Sequence, residues 1–107
     1  MALYNTTTKD EFEKLITSGR PVLVDFWAAW CPPCRMMAPV LEGIAQKVDE
    51  ADIVKIDIEA TQDNARLAGE HGVQSIPNLK LFKDGKIVEE FIGVTPSNIL
   101  IEALKKA

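Results

Sequence analysis

The chain has only two cysteines, Cys31 and Cys34, and one histidine, His71. A zinc site usually needs four ligands, and beyond these three side chains only carboxylates remain, so no metal centre is expected. No apolar run approaches the ~20 residues that span a bilayer, so no membrane role is expected. Positive charge is not in excess: 12 Lys and Arg stand against 16 Asp and Glu, for a net charge of −4. That balance argues against nucleic acid as a partner. A glycine-rich nucleotide-binding motif is also missing, so neither a flavin nor a nicotinamide cofactor is expected to bind the chain itself. Linkers, repeats and low-complexity segments are absent. With 107 residues, 47% of them hydrophobic and 26% charged, the expectation is one globular domain over 1–107, acting as a monomer. The polar start Asn5-Thr6-Thr7-Thr8-Lys9-Asp10-Glu11 offers no secretory apolar segment, so a cytoplasmic, reducing setting is expected. In such a compartment a disulfide is more often catalytic than structural.

The local patterns are clear. Thr8 with Glu11 reads as a capping box for a first helix bearing Phe12, Leu15 and Ile16, with Gly19 able to end it. Val22 to Trp27 reads as a buried strand, apolar on both faces except at Asp25. From Cys34, residues Met37, Val40, Leu41, Ile44, Ala45 and Val48 recur at helical spacing around an internal Pro39. Ile53 to Ile58 reads as a strand. Thr61 caps a short helix that Gly72 ends. Leu79–Lys83 and Ile87–Ile92 flank Asp84-Gly85, a hairpin signal. Thr95 as N-cap and Pro96 at the first helical position open a last helix carrying Leu100, Ala103 and Leu104. The order is α-β-α-β-α-β-β-α, with a further short strand fitting Ala2 to Tyr4. This is an α/β class: a central mixed sheet of four to five strands flanked by four helices.

The chemistry centres on Trp30-Cys31-Pro32-Pro33-Cys34, at the turn from the buried strand into a helix. Two thiols at this spacing can close into a disulfide and reopen. Cys31, placed just before the helix, stands near unpaired amides and the positive end of the helix dipole, which favours a thiolate and makes it the expected nucleophile. Pro32 and Pro33 have no N–H, so the nearest downstream donors are the amides of Cys34 and Arg35. Cys34, expected to be the more buried, is the resolving thiol. A structural disulfide or half a zinc site is the plainer reading of the same pair. Asp25 sits in an otherwise apolar strand, so burial should raise its pKa and suit it to act as a general base for Cys34. The plainer reading of Asp25 is a polar residue at a strand edge, or one paired with Lys55, which lies in the neighbouring strand pattern and can serve as that partner. Arg35 can stabilise a thiolate by charge or remain a solvated surface side chain. His71 is expected to be a plain surface residue at a helix end.

Over essentially its whole length the sequence resembles the thioredoxin family. The matching features are Asp25-Phe26-Trp27-Ala28, Trp30-Cys31-x-Pro33-Cys34, Ala38-Pro39, Lys55 within a strand, Ile76-Pro77, Phe82-Lys83-x-Gly85 and Gly93. The resemblance implies the thioredoxin fold and electron donation to protein disulfides. It also implies regeneration by a flavin- and NADPH-dependent thioredoxin reductase. A cis Ile76-Pro77 bond is implied beside the disulfide, with an exposed Ile76 backbone edge for an extended substrate. Trp30, Ile76, Pro77, Gly93 and Val94 would then form an apolar docking rim around Cys31, while Trp27 packs in the core. Three residues depart from the family's usual pattern. Pro32 stands where glycine is commonest, Asn78 where threonine commonly follows Ile-Pro, and Arg35 where lysine is usual. A Cys-Pro-Pro-Cys centre also resembles tryparedoxins and nucleoredoxins, whose domains are longer.

Pro32 precedes Pro33, and a residue before proline is pushed away from the α region. The helix is therefore expected to begin one residue late or under local strain. Loss of an amide donor and a stiffer loop both favour the disulfide, which predicts a more reducing protein than its Pro32→Gly variant. The leading expectation is a protein-disulfide reductase that cycles between dithiol and disulfide. Its alternatives are an oxidase- or isomerase-like variant, and a binding or subunit module that uses the fold without redox turnover.

Overall fold

Nine elements follow one another in a computed structural model that describes residues 2–107. They are β1 (Leu3–Asn5), α1 (Lys9–Ile16), β2 (Val22–Trp27), α2 (Pro32–Lys47), β3 (Asp52–Asp57), α3 (Gln62–Glu70), β4 (Asn78–Lys83), β5 (Lys86–Ile92) and α4 (Ser97–Lys106). The short first strand forms, and the sheet has five strands in the order β1-β3-β2-β4-β5. β3 runs parallel to both β1 and β2, whereas β4 is antiparallel to β2 and to β5. Helical crossovers make the parallel pairs, and the tight Asp84-Gly85 turn joins β4 to β5. Both turn residues have positive φ, 53° and 78°, the backbone that a two-residue hairpin of this hand requires.

Alternation along the strands sorts side chains to the two faces of the sheet. Leu23, Ile53, Leu79 and Leu81 pack with Met37, Leu41 and Ile44 of α2 and Leu100 and Leu104 of α4. On the other face Val22, Val24, Phe26, Val54, Ile56 and Phe82 pack with Phe12 and Ile16 of α1 and Leu67 of α3. Each such buried side chain contributes about 1.5–3 kcal/mol against leaving it in water.

The helix termini follow the capping rules, with two differences. Thr8 and Glu11 form the reciprocal capping box of α1, and the Thr61 side chain accepts from the Asn64 amide at the start of α3. α1 stops at Ile16 with Thr17 as its C-cap, before Gly19. α4 begins one residue later than its sequence suggests. Pro96, at ψ 144°, is the N-cap rather than the first helical residue. The Thr95 hydroxyl turns back to donate to the Gly93 carbonyl, and its backbone N–H donates to the Met37 sulfur, which ties Thr95 to the loop one residue before the N-cap.

Another difference concerns His71, which is not a plain surface residue. Its ring lies within 5.5–6.1 Å (centroid to centroid) of Phe12, Phe26 and Phe82. Its Nδ1–H donates to the Leu67 carbonyl at 2.8 Å. The helix it caps is thereby closed onto the aromatic cluster beneath the sheet.

β5 forms one border of the sheet. Its ladder with β4 breaks register between Leu81 and Phe82, placing a bulge in the strand.

Candidate active site

Strand register gathers the site at one end of the sheet. Trp27 pairs with Asp57, Phe26 with Asn78, and Asn78 with Ile92. The segments just beyond these residues therefore emerge together: Trp30–Cys34 after β2, Ile58 and Glu59 after β3, Ile76-Pro77 before β4, and Gly93-Val94 after β5. Ligand and reaction sites in open α/β sheets favour this carboxyl end of the parallel strands.

Cys31 and Cys34 are joined as a disulfide, with Cα atoms 5.2 Å apart. Cys31 is the N-cap of α2, and its Sγ accepts the Cys34 amide at 3.2 Å. The Arg35 amide is used by the Cys31 carbonyl at 3.1 Å. The expected pair of downstream donors therefore divides, one to sulfur and one to the backbone. An N-cap side chain takes the amides of the second or third helical residue. The second here is Pro33, so Cys34 alone can serve. α2 starts at Pro32 and is not delayed by a residue, because proline's fixed φ suits the first helical turn. The two cysteines are also equally enclosed, at 3% and 2% exposure, so the expected contrast in burial is not present in the oxidised pair. They pack with Ala28, and with Trp27, Ile58 and Ile76 around them.

Asp25 projects from β2 on the same face as Leu23, toward the α2 side of the sheet. It is buried, and neither carboxylate oxygen has a hydrogen-bond partner. Burial pushes its pKa up to about 7, and the nearby positive charge of Lys55 pulls the other way. Lys55 is its register partner on β3, but the ammonium lies 4.5 Å over the Trp27 ring centroid. Trp27 is only partly buried, and its indole N–H lacks a partner. Arg35 donates to the Ala29 carbonyl at 3.0 Å. Its guanidinium is thus held by the backbone before the motif, which accounts for its position without a thiolate.

The expected rim residues take different positions. The Ile76-Pro77 bond is cis, and the Ile76 carbonyl oxygen lies 3.8 Å from the Cys31 sulfur. Pro77 is buried, and its carbonyl accepts the Gly93 amide at 2.8 Å. Gly93 has φ +85°, a backbone that favours glycine, and a Cβ there would meet no atom within 4 Å. Val94 and Trp30 are exposed, Trp30 to 61%. The Trp30 indole N–H donates to Glu59 Oε2 at 2.9 Å. Glu59 is a residue that the sequence patterns passed over. The available signal was its place just past β3, whose end is in register with the end of β2.

Among the described residues, no group of three or more His, Cys, Asp or Glu side chains is placed to hold a metal ion. No helix among them is long and apolar enough to cross a membrane. The site's distinctive chemistry is two sulfurs that can exchange with a third.

Comparison with known proteins agrees with this geometry. The thioredoxin family profile matches residues 4–106. The chain is 43% identical to thioredoxin 1 of Synechococcus elongatus over 106 residues, covering 98% of this chain and 94% of the relative. It is 45% identical to the thioredoxin of Bacillus subtilis over 107 residues, covering 99% and 98%. Among solved structures it resembles a mutant thioredoxin from Halobacterium salinarum, with a TM-score of 0.86 at 35% identity. That match covers 98% of this chain and 88% of the other.

Proposed function

The chain belongs to the thioredoxin family and is a protein-disulfide reductase, and on that premise we propose the part each residue plays. The observation that carries the assignment is the Cys31–Cys34 disulfide at the start of α2, with the Cys34 amide directed at the Cys31 sulfur. In the reduced protein that amide and the helix dipole stabilise the Cys31 thiolate.

The thiolate attacks one sulfur of a protein disulfide. An S–S bond forms between Cys31 and the substrate, the substrate's own S–S bond breaks, and one substrate thiolate leaves. Asp25, as carboxylate, takes the Cys34 proton through a water. Cys34 then attacks the Cys31 sulfur, closes the Cys31–Cys34 bond and releases the second substrate thiol. Two electrons pass to the substrate; the proton Asp25 took from Cys34 goes to one leaving thiolate, and solvent protonates the other. Lys55 keeps a positive charge near Asp25 and so helps it reach the charged form. Trp30, Ile76, Pro77, Gly93 and Val94 receive the substrate, with the Ile76 backbone offering hydrogen bonds to an extended segment. Pro32 and Pro33 set the stiffness of the loop, while Arg35 braces it through Ala29.

Electrons come from thioredoxin reductase, which carries the flavin and draws on NADPH. The partners are disulfide-containing proteins, and the protein works as a monomeric single domain in the cytoplasm. The test is insulin disulfide reduction driven by dithiothreitol. Wild type should turn over rapidly, Cys31→Ser should not, and Cys34→Ser should accumulate a mixed disulfide through Cys31. Equal turnover by wild type and Cys31→Ser would overturn the assignment of the nucleophile.

A further inference from the structure

Trp30 stands immediately before Cys31, yet it is 61% exposed. A side chain that open gains little from packing, so its polar tip matters more. The tip donates to Glu59 Oε2 at 2.9 Å. Glu59 is held from behind: its own N–H donates to Asp57 Oδ1 at 3.0 Å, and the Ala60 N–H donates to the Asp57 carbonyl at 3.1 Å. The Ile58 N–H donates to the Trp27 carbonyl at 3.0 Å, and the Ile58 side chain packs against the cysteine cluster. The acid therefore stands on a turn fastened to the end of β2 and to the disulfide.

We propose that Glu59 is a positioning residue for disulfide exchange: it holds the Trp30 indole over the approach to Cys31 and biases partner choice toward a basic residue beside the target cysteine. The proposal rests on the assignment of Cys31 and Trp30 above. One indole N–H occupies one of the roughly four acceptor sites of a carboxylate. Glu59 is exposed, so its remaining sites face solvent and an arriving partner. The cations of the site are engaged elsewhere, Arg35 with the Ala29 carbonyl and Lys55 over the Trp27 ring. A charge at a docking rim acts on encounter and is screened by salt. The expected bias is about two- to five-fold in kcat/KM, the range of an exposed charge pair.

The experiment uses the full chain and two disulfide-bonded peptides that differ only in Lys or Glu beside the cysteine. Wild type should favour the Lys peptide at low salt and lose the preference at high salt. Glu59→Gln, which keeps an acceptor oxygen, should lose the preference at any salt. The chain has two tryptophans, so an amide–nitrogen correlation spectrum should carry two indole N–H signals, which Trp30→Phe assigns. In Glu59→Ala the Trp30 signal should shift and gain mobility, while Glu59→Gln should keep it closer to wild type. A preference unchanged in Glu59→Gln, or a Trp30 signal unmoved in Glu59→Ala, overturns the proposal while leaving the exchange chemistry standing. A wild-type protein that reduces neither peptide overturns the exchange assignment and this proposal with it.

Discussion

Asp25 and Lys55 lie directly opposite each other on β2 and β3, yet the lysine moderates the acid without satisfying it. The ammonium sits over the Trp27 ring, and both Asp25 oxygens remain buried without a hydrogen bond. A carboxyl held this way pays the full cost of losing its proton in an apolar strand, offset in part by one neighbouring charge.

Stability should therefore fall as pH rises through the window between the two pKa values of Asp25. The unfolded chain loses this proton near its ordinary value of 3.8, whereas the folded protein keeps it until about 7. Between those values the native state binds more protons, so rising pH favours unfolding. Above the folded pKa the penalty levels off, on the order of 4 kcal/mol. Denaturant unfolding of oxidised wild type and Asp25→Asn, from about pH 4 to about pH 8, checks this. The asparagine variant should gain on wild type through the window, and parallel stability curves would refute the argument. In insulin reduction, wild-type kcat/KM should rise with a limb at about 7. The variant should lack that limb and be slower by ~10-fold or more above it.

Lys80 is buried on β4, and its ammonium pairs with the Glu90 carboxylate directly across on β5. The lysine side chain is 2% exposed and the glutamate 44%. Removing the carboxylate strands a buried positive charge. Glu90→Gln should cost about 1–3 kcal/mol after allowing for solvent screening on the glutamate side. Lys80→Met, which fills similar space without a charge, should cost less or stabilise. Urea titrations of both variants decide it, and a Glu90→Gln midpoint equal to wild type would contradict the account.

Pro32→Gly should make the protein less reducing. The Cys31 cap draws on the Cys34 amide, and the first helical position is not a cap donor, so restoring an N–H at residue 32 adds little. What remains is loop stiffness, about 0.4–1 kcal/mol, or on the order of 10–20 mV for a two-electron couple. Equilibration with glutathione measures the difference, and a more negative potential in the glycine variant would reverse the conclusion.

The Asn64 side chain is fully buried, and its Nδ2 donates to the carbonyls of Thr6 and Asp57, each at 3.0 Å. It joins the segment after β1 to the end of β3. Asn64→Ala leaves the Thr6 carbonyl short of a partner, while the Asp57 carbonyl keeps the Ala60 N–H, and should cost about 1–3 kcal/mol. Urea unfolding should move to a lower midpoint at an unchanged slope.

Features governed by neighbours in sequence were the legible ones. The capping box needs only Thr8 and Glu11, the hairpin only Asp84-Gly85, and the disulfide only the short spacing of Cys31 and Cys34. The raised pKa of Asp25 was also legible, because one carboxylate in an apolar strand has few ways to avoid burial. Contacts between segments remote in sequence were not. Nothing near Lys80 announces that a lysine will be enclosed, since its partner is reached only once β4 and β5 are in register. His71 carries no mark of the three phenylalanines that the fold brings to it. Thr95 satisfied the local rule for an N-cap, but bonds to the remote Met37 sulfur and to the Gly93 carbonyl tie it to the loop, and the helix starts one residue later, with Pro96 as N-cap. Glu59 stayed unnoticed because its role depends on Trp27 and Asp57 ending side by side.

The bulge in β5 bears on how the protein behaves in a crowd. One border of the sheet is a three-residue strand, and the other is a strand kinked by an extra residue and carrying adjacent glutamates, Glu89 and Glu90. Neither border is a straight, neutral template on which a second chain could extend the ladder. Concentrated solutions should therefore resist strand-by-strand polymerisation even though Ile87, Val88 and Ile92 are open to water.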